Sequence, residues 1–284
     1  MEVIHAVSAL RAQVNQWRRQ HQRVALVPTM GNLHEGHLQL VDVARQQADR
    51  VLVSVFVNPL QFGPGEDFDR YPRTLAADTE ALIMAGADLL YAPTLREMYP
   101  RGAAPVTQVC VPEITETLEG AHRPGHFDGV TTVVSLLFHQ VQPDVACFGQ
   151  KDYQQLAVVR RMVADQQMPV TIVGVPTCRA EDGLALSSRN QYLSPQARAR
   201  APGLKQVLDR VAAQLRGGRR DYPAIETEAL AALVEGGFAP QYLAIRGPDL
   251  ETPAVAARAW VVLVAAVLDG TRLIDNLEVA VDMG

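Results

Sequence analysis

Two histidines, His34 and His37, stand three positions apart at the end of a loop that contains Gly31. An apolar run over residues 24–27 precedes the loop and predicts a buried parallel strand. Apolar residues spaced like one helix face follow it, so both histidines should lie on one side of a helix N-terminus. Unpaired backbone N–H groups and a partial positive charge make such an end suitable for a phosphate. The pattern predicts a nucleotide site where imidazoles meet a reacting phosphate.

Two other interpretations of the histidine pair are open. The histidines could be metal ligands, but a site needs about three protein ligands, and no other His, Cys or acidic cluster nearby has suitable spacing. They could also be ordinary surface histidines at a helix start. The strand before them, the glycines beside them and the helix after them favour the nucleotide site.

Composition limits the class of protein. The chain has 284 residues with 48% hydrophobic and 20% charged residues and a net charge of -5, which is ordinary for a globular protein of one large or two modest domains. No basic arm or stripe is present, so nucleic acid is not an expected partner. The three cysteines are far apart and odd in number, which indicates free thiols in a reducing compartment and predicts a cytoplasmic protein. The N-terminus lacks a signal-peptide pattern, and the longest apolar run, 259–268, is too short to span a membrane.

Alternating strands and helices over residues 1–176 predict an α/β fold, a Rossmann-like parallel sheet covered on both faces. Thr74 is expected to cap one of these helices. Loops rich in polar residues follow several strand ends and should converge beyond the carboxyl edge of the sheet. The predicted strands are 24–27, 51–57, 89–91, 106–111, 145–148 and 170–175.

Residues 177–284 are predicted to form a smaller α+β domain. Ser194 should cap a helix that starts at Pro195 and ends at Gly217. A second helix is expected over about 222–234. Three short strands should follow, near 242–246, 260–268 and 273–276.

Five segments in order resemble the pantoate–β-alanine ligase (pantothenate synthetase) family. They are Pro28–His37, Phe56–Phe62, Tyr71–Thr74, Gly149–Gln155 and Ser187–Asn190, and Leu273–Asn276 extends the resemblance towards the C-terminus. The His-x-Gly-His motif alone would mark only the wider nucleotidylyl-transferase superfamily, which includes class I aminoacyl-tRNA synthetases. Five ordered motifs are far more specific.

The resemblance implies an ATP-dependent condensation of (R)-pantoate with β-alanine. The products would be pantothenate, AMP and pyrophosphate, formed through a pantoyl-adenylate intermediate. It also implies Mg²⁺ accompanying ATP, a homodimer, and a C-terminal domain that acts as a lid and closes over the site of the Rossmann-like domain.

The resemblance assigns residues to each role. His37, as the proton donor, His34 and Lys151 would be catalytic. The ATP-binding set would be Met30, Gly31, Asn32, Leu33, His34, Glu35, Gly36, His37, Gly149, Gln150, Lys151, Asp152, Cys178, Leu186, Ser187, Ser188 and Arg189.

Four further residues, Gln61, Gln155, Asn58 and Tyr71, would bind pantoate and β-alanine. Neutral amides suit pantoate, because a tight ion pair with arginine would neutralise the carboxylate that must act as the nucleophile. Asp78 is a candidate outer-shell magnesium contact. Arg123 and His126 either flank the pocket or are surface charges.

Other functions compete with the ligase. A nucleotidylyl transferase of the coenzyme-synthesis type would share His34 and His37 but has no need of paired glutamines. A nucleotide-binding regulatory protein without chemistry would not need the intact set of histidine, lysine, serine and arginine. A tRNA-charging enzyme is disfavoured by the acidic balance and by the lack of an anticodon-binding region.

Overall fold

In the computed structural model, which describes residues 1–104 and 106–281, the apolar runs of the first part of the chain form a six-stranded sheet. All its paired strands are parallel, and their side chains are largely buried, as expected for a sheet covered on both faces. The α/β prediction is confirmed. The strands are β1 (Glu2–Ile4), β2 (Val24–Thr29), β3 (Arg50–Val55), β4 (Leu89–Tyr91), β5 (Val145–Gly149) and β6 (Thr171–Val175).

Seven helices of the described chain accompany this sheet. They are α1 (Val7–Arg19), α2 (Glu35–Gln47), α3 (Leu75–Ala85), α4 (Leu95–Met98), α5 (Glu119–His122), α6 (His126–Val141) and α7 (Tyr153–Asp165). One core cluster joins α2 to the sheet, with Leu40, Val41 and Ala44 against valines of β2 and β3. Strand β1 and helix α1 were not among the predicted elements, although Leu10, Val14 and Trp17 are buried at helical spacing along α1.

The strand order, β1-β4-β3-β2-β5-β6, reverses at β2. Strand β2 pairs with β3 on one side and with β5 on the other. The loops that follow β2 and β5 therefore diverge from the carboxyl ends of these two strands. Open α/β sheets bind ligands at such a position. The histidine loop follows β2, and Gly149 ends β5.

The last part of the chain forms an α+β arrangement, as predicted. Its antiparallel sheet has the order β7-β8-β9, and Trp260 of β8 is fully buried in a core with apolar side chains of the neighbouring helices. The elements are α8 (Pro195–Arg200), α9 (Gly203–Arg216), α10 (Tyr222–Glu235), β7 (Ala239–Arg246), β8 (Ala259–Leu268) and β9 (Thr271–Ala280).

The chain divides into two units. The first comprises Met1–Gly149 and Val158–Pro176, and the second comprises Gln150–Ala157 and the chain from Thr177 onwards. Sequence periodicity contains no signal that Gln150–Ala157 groups with the second unit. In the described ranges, none of the helices combines the length and the apolar character that crossing a membrane requires.

Two local predictions were wrong, and a third was confirmed only for the position of the residue. Residues 106–111 form no strand: Val109 instead donates its N–H to Thr132 Oγ1 at 3.0 Å and accepts from the Thr131 hydroxyl, so helix side chains replace a neighbouring strand. The helix after Ser194 breaks into α8 and α9 at Pro202, because proline lacks an N–H and disfavours helical backbone before it. Thr74 occupies the N-cap position of α3 without capping, since its hydroxyl donates to Asp78.

Candidate functional site

The histidine pair starts α2. His34 is the N-cap residue, and its Nδ1 accepts from the Gly36 N–H at 3.2 Å. His37 lies in the first turn, and its Nδ1 accepts from the His34 N–H at 3.3 Å. Because Nδ1 is an acceptor in both rings, each neutral imidazole carries its proton on Nε2. The ring centroids are 4.1 Å apart. The pair thus presents two N–H donors of the same kind at a helix N-terminus, where charge on a phosphate is stabilised.

The loop before the histidines has an unusual backbone. Gly31 has φ +81° and Asn32 has φ +52°, both in the left-handed region. A methyl group at Gly31 would come within 3.0 Å of Asp78 Oδ2, so only glycine fits without displacement. The carboxylate of Asp78 is buried and accepts from the N–H groups of Asn32, at 3.1 Å, and Leu33, at 2.9 Å.

Asp78 therefore holds the loop that presents His34. The Thr74 hydroxyl donates to the same carboxylate at 3.1 Å. The prediction that Asp78 contacts magnesium gains no support from these contacts, because both carboxylate oxygens already accept from protein donors. In the part of the chain that the structure describes, no group of three or more His, Cys, Asp or Glu side chains could hold a metal ion.

A 3-10 turn over Pro59–Gln61 follows β3 and carries the predicted substrate glutamine. The buried side chain of Asn58 donates to Gln61 Oε1 at 3.2 Å and accepts from the Tyr99 hydroxyl at 2.7 Å. Burial raises the pKa of Tyr99, so its hydroxyl remains a donor. Gln61 Nε2 donates to the sulfur of Met30 at 2.9 Å, which links this turn to the histidine loop.

Tyr71, Arg123 and His126 lie close to the same turn. The buried ring of Tyr71 contacts Phe62 edge-on, with 5.9 Å between ring centroids. Arg123 Nη2 and His126 Nδ1 approach the backbone carbonyl oxygen of Gln61, at 3.2 and 2.7 Å. Of the two alternatives for Arg123 and His126, the structure therefore excludes isolated surface charges.

In the second unit, a 3-10 turn over Gln150–Asp152 carries Lys151. The lysine side chain is mostly buried, and its Nζ lies 3.8 Å from Asp152 Oδ1. Asn276 of β9 donates from Nδ2 to the carbonyl oxygens of Gln150 and Lys151, each at 2.8 Å. The backbone of the predicted phosphate-binding lysine is thus tied to the small sheet.

A short hairpin carries Cys178 and Leu186, two of the other predicted nucleotide ligands of this unit. The Leu186 N–H donates to the Cys178 carbonyl at 2.9 Å, and Arg179 and Ala185 form an antiparallel bridge between them. The Arg179 guanidinium makes a bidentate ion pair with the buried Asp275, at 2.7 and 2.8 Å. A two-bond pair of this kind fixes direction as well as distance, so β9 anchors the hairpin.

The serine and arginine motif follows the hairpin directly. Ser187 caps a 3-10 turn over Ser188–Tyr192, with its Oγ accepting from the Arg189 N–H at 3.2 Å. Asn190 Nδ2 donates to the Ala185 carbonyl at 3.0 Å and ties the turn to the hairpin. Ser187, Ser188 and Arg189 are all partly exposed, as phosphate ligands must be.

Gln155 lies in the first turn of α7 and is partly exposed, within the segment that groups with the second unit. The structure thus brings together His34, His37, Met30, Asn58, Gln61 and Tyr71 in the first unit, and Lys151, Cys178, Leu186, Ser187, Ser188 and Arg189 in the second.

Several residues that shape these segments were missed: Tyr99, Arg179, Asp275 and Asn276. For the last two, the motif Leu273–Asn276 was the available signal. In this motif two polar residues, Asp275 and Asn276, are buried in a strand that packs on an apolar core. Their contacts with Arg179 and with the backbone of Lys151 explain why they are buried there.

Comparisons with known proteins agree with the ordered motifs. The family model for pantoate-beta-alanine ligase matches residues 2–278. The chain is 56% identical over 278 residues to a pantothenate synthetase of Pseudomonas entomophila, covering 98% of this chain and 97% of that protein. A pantothenate synthetase of Stutzerimonas stutzeri is 57% identical over 278 residues, with the same coverage of 98% and 97%.

Solved structures show the same relationship. The crystal structure of pantothenate synthetase from Thermus thermophilus is similar with a TM-score of 0.92 and 49% identity, covering 99% of this chain and 100% of that one. A pantoate-beta-alanine ligase from Francisella tularensis, complexed with beta-gamma ATP and beta-alanine, has a TM-score of 0.82 and 31% identity, covering 98% and 97%. These similarities confirm the family resemblance, and the chain belongs to the pantoate-beta-alanine ligase family.

Proposed function

We propose that the protein condenses (R)-pantoate with β-alanine at the expense of ATP. In the first step, a carboxylate oxygen of pantoate bonds to the α-phosphorus of ATP and pyrophosphate leaves. In the second step, the amine of β-alanine bonds to the acyl carbon of pantoyl adenylate, AMP leaves with the bonding electron pair, and the nitrogen loses a proton. The products are pantothenate, AMP and pyrophosphate. Membership of the family supports this reaction over the competing functions.

His34 and His37 are proposed to donate hydrogen bonds from Nε2 to ATP phosphates. Catalysis of such a transfer is mostly positioning and stabilisation of charge on phosphate oxygens. The Nδ1 contacts support this role, because they fix the tautomer and place the proton of each neutral ring on Nε2. His37 is the proposed proton donor. The flanking residues Met30, Gly31, Asn32, Leu33, Glu35 and Gly36 are proposed to complete the ATP-binding loop.

Lys151, Ser187, Ser188 and Arg189 are also proposed as ATP ligands. A mostly buried ammonium group supplies a point charge for phosphate oxygens, while hydroxyl and guanidinium groups supply directed donors. Gly149 supports close approach of a nucleotide, because a methyl group built there meets no protein atom within 4 Å. Gln150, Asp152, Cys178 and Leu186 are proposed to complete the set.

Gln61 and Gln155 are proposed to bind pantoate, with Asn58 and Tyr71 beside Gln61. The Gln61 amide is already oriented, since its oxygen accepts from Asn58 and its nitrogen donates to Met30. An amide nitrogen has two hydrogens, so it can donate a second bond to the substrate. A neutral donor orients the carboxylate without neutralising its charge.

Mg²⁺ is proposed to arrive with ATP. Magnesium typically binds nucleotide phosphates, water and at most one or two carboxylates, which fits a described chain without a cluster of three potential ligands. We also propose a cytoplasmic homodimer. The location is supported by Cys110, Cys147 and Cys178, which are free thiols, and the dimer by the family alone.

The observation that carries this proposal is the pair of imidazoles with fixed tautomers at the N-terminus of α2. The test is to incubate the protein with ATP, Mg²⁺ and pantoate, and to add β-alanine later. We expect pyrophosphate to form before β-alanine is added, and AMP release with turnover to require it. Appearance of ADP and phosphate would show an acyl-phosphate mechanism instead. Release of pyrophosphate without any need for a carboxylate substrate would indicate a different nucleotidylyl transferase.

A further inference from the structure

The backbone carbonyl of Gln61 is held by two side chains from distant parts of the sequence. His126 Nδ1 lies 2.7 Å from this oxygen and Arg123 Nη2 lies 3.2 Å from it. Both residues flank the N-terminus of α6, and His126 is buried. The carbonyl belongs to the 3-10 turn that carries the Gln61 side chain.

The partners of His126 determine its tautomer. Arg123 Nη1 lies 3.0 Å from His126 Nε2, and a guanidinium can only donate hydrogen bonds. Nε2 must therefore be an acceptor, which makes the ring neutral and leaves its proton on Nδ1. Burial and the charge of Arg123 lower the pKa of His126 to about 4, so this state persists at neutral pH. His126 is thus a fixed donor to the Gln61 carbonyl.

Arg123 is fixed in its turn by carboxylates. Its guanidinium makes two bonds to Glu66, at 2.7 and 2.6 Å, and lies 3.6 Å from Glu119. Only 12% of the Arg123 side chain is exposed. A largely buried cation with a two-bond partner has one geometry, so it can act as a rigid support for the histidine and for the carbonyl.

The next turn of α6 keeps the glutamine turn from moving closer to the helix. A methyl group at Gly129 would lie 2.2 Å from the Leu60 carbonyl oxygen and 2.6 Å from the Gln61 nitrogen. The helix therefore packs directly on the backbone of the turn. Asn58 also donates to the Gly129 carbonyl, at 3.0 Å.

We propose that His126 and Arg123 are positioning residues that fix the position of the Gln61 side-chain amide and thereby control the binding of pantoate. Neither residue touches the substrate in this scheme; both act through the Gln61 backbone. The inference rests on the proposed role of Gln61 in binding pantoate. It predicts that loss of either residue weakens pantoate selectively.

The test compares His126→Leu with His126→Asn, whose side-chain amide can still donate to the Gln61 carbonyl. His139→Leu is the matched control, because His139 is an exposed histidine on the same helix. We expect His126→Leu to raise KM for pantoate roughly tenfold, the effect of one lost hydrogen bond, while KM for ATP changes less than about twofold. His126→Asn should recover most of the loss. His139→Leu should resemble the parent protein.

Equal increases in KM for pantoate and ATP, or no difference between the leucine and asparagine variants, would overturn the inference. If His126→Leu does not fold, Arg123→Lys takes its place. Lysine keeps the charge next to Glu66 but cannot reach Nε2 of His126 and the Gln61 carbonyl together, so the same pantoate-selective loss is expected. The Gln61→Ala variant separates the two proposals. If it binds pantoate as well as the parent does, the proposed function of Gln61 fails. If it binds pantoate more weakly but the His126 variants do not, only the positioning role is refuted.

Discussion

The side-chain amide of Asn276 donates to the carbonyl oxygen of Lys151 at 2.8 Å. The same nitrogen donates to the Gln150 carbonyl at 2.8 Å, and Asn276 is buried in β9. The neighbouring Asp275 holds Arg179 and with it the hairpin that leads to Ser187. Two adjacent residues of one strand thus support both segments that carry the predicted phosphate ligands of the second unit.

The first prediction follows from this contact. Asn276→Ala removes both bonds to the lysine turn, so Lys151 should lose its fixed position. We expect the adenylation rate to fall roughly thirtyfold, because two hydrogen bonds with a net contribution of about 1 kcal/mol each are lost, with pantoate affinity unchanged. Single-turnover measurement of pyrophosphate release checks this. Asn15→Ala, at an exposed position of α1, is the control, and equal adenylation in both variants would contradict the supporting role.

The second prediction concerns His37. His37→Ala removes one donor to charge that develops on phosphate, and such a loss typically lowers the rate by ~10²–10³. The fold should survive, because His37 lies at a helix start and is only partly buried. His139→Ala, on α6, should leave adenylation unchanged. Rapid-quench measurement of pantoyl adenylate would expose an incorrect assignment if the His37 variant formed it at the parental rate.

The third prediction separates the two substrates. Gln61→Ala should weaken pantoate much more than ATP, whereas Lys151→Ala should affect ATP binding or adenylation first. Each lost bond to a charged group should cost ~1.5–3 kcal/mol, which is roughly ten- to over a hundredfold in affinity. Isothermal titration of each ligand into each variant measures this directly, with Gln46→Ala on the exposed face of α2 as control. Loss of ATP with retention of pantoate in the Gln61 variant would mean that the pockets are assigned in reverse.

The local sequence was sufficient to predict those elements whose structure is determined by neighbouring residues. The apolar strands β2 and β3 and the histidines of α2 were predicted because periodicity and neighbouring residues determine them. The strand predicted at residues 106–111 was wrong because hydroxyl groups of Thr131 and Thr132 hydrogen-bond to that backbone, and periodicity carries no information on such bonds.

The supporting contacts of His126 and Asn276 were not predicted, for a related physical reason. His126 reaches Gln61 across 65 positions, and Asn276 reaches Lys151 across 125 positions. Neither contact is visible in the spacing of neighbouring residues, since each depends on how the complete sheets and helices pack. The residues proposed to contact substrates lie in short motifs, whereas those that hold the motifs come from elements that fold against them.

The fourth prediction concerns pH and stability. Burial and the nearby Arg123 lower the pKa of His126 from 6.5 to about 4 in the folded protein, against the opposing charges of Glu119 and Glu66. Above pH 6.5 the ring is neutral in both states, so folding is not penalised. As the pH falls below 6.5, the unfolded chain binds a proton that the folded protein does not, and the free energy of unfolding decreases by about 1.4 kcal/mol per unit, or about 2 kcal/mol by pH 5.

His126→Asn has no such proton to bind, so its free energy of unfolding should decline less between pH 7.5 and pH 5. The destabilisation of this variant relative to the parent should therefore shrink by about 2 kcal/mol over that range. Urea denaturation at half-unit pH intervals measures the difference, and carboxylates that titrate in both proteins cancel from it. Parallel curves for His126→Asn and the parent would mean that folding does not lower the pKa of His126, which would contradict a ring kept neutral below pH 6.5 by burial and by Arg123.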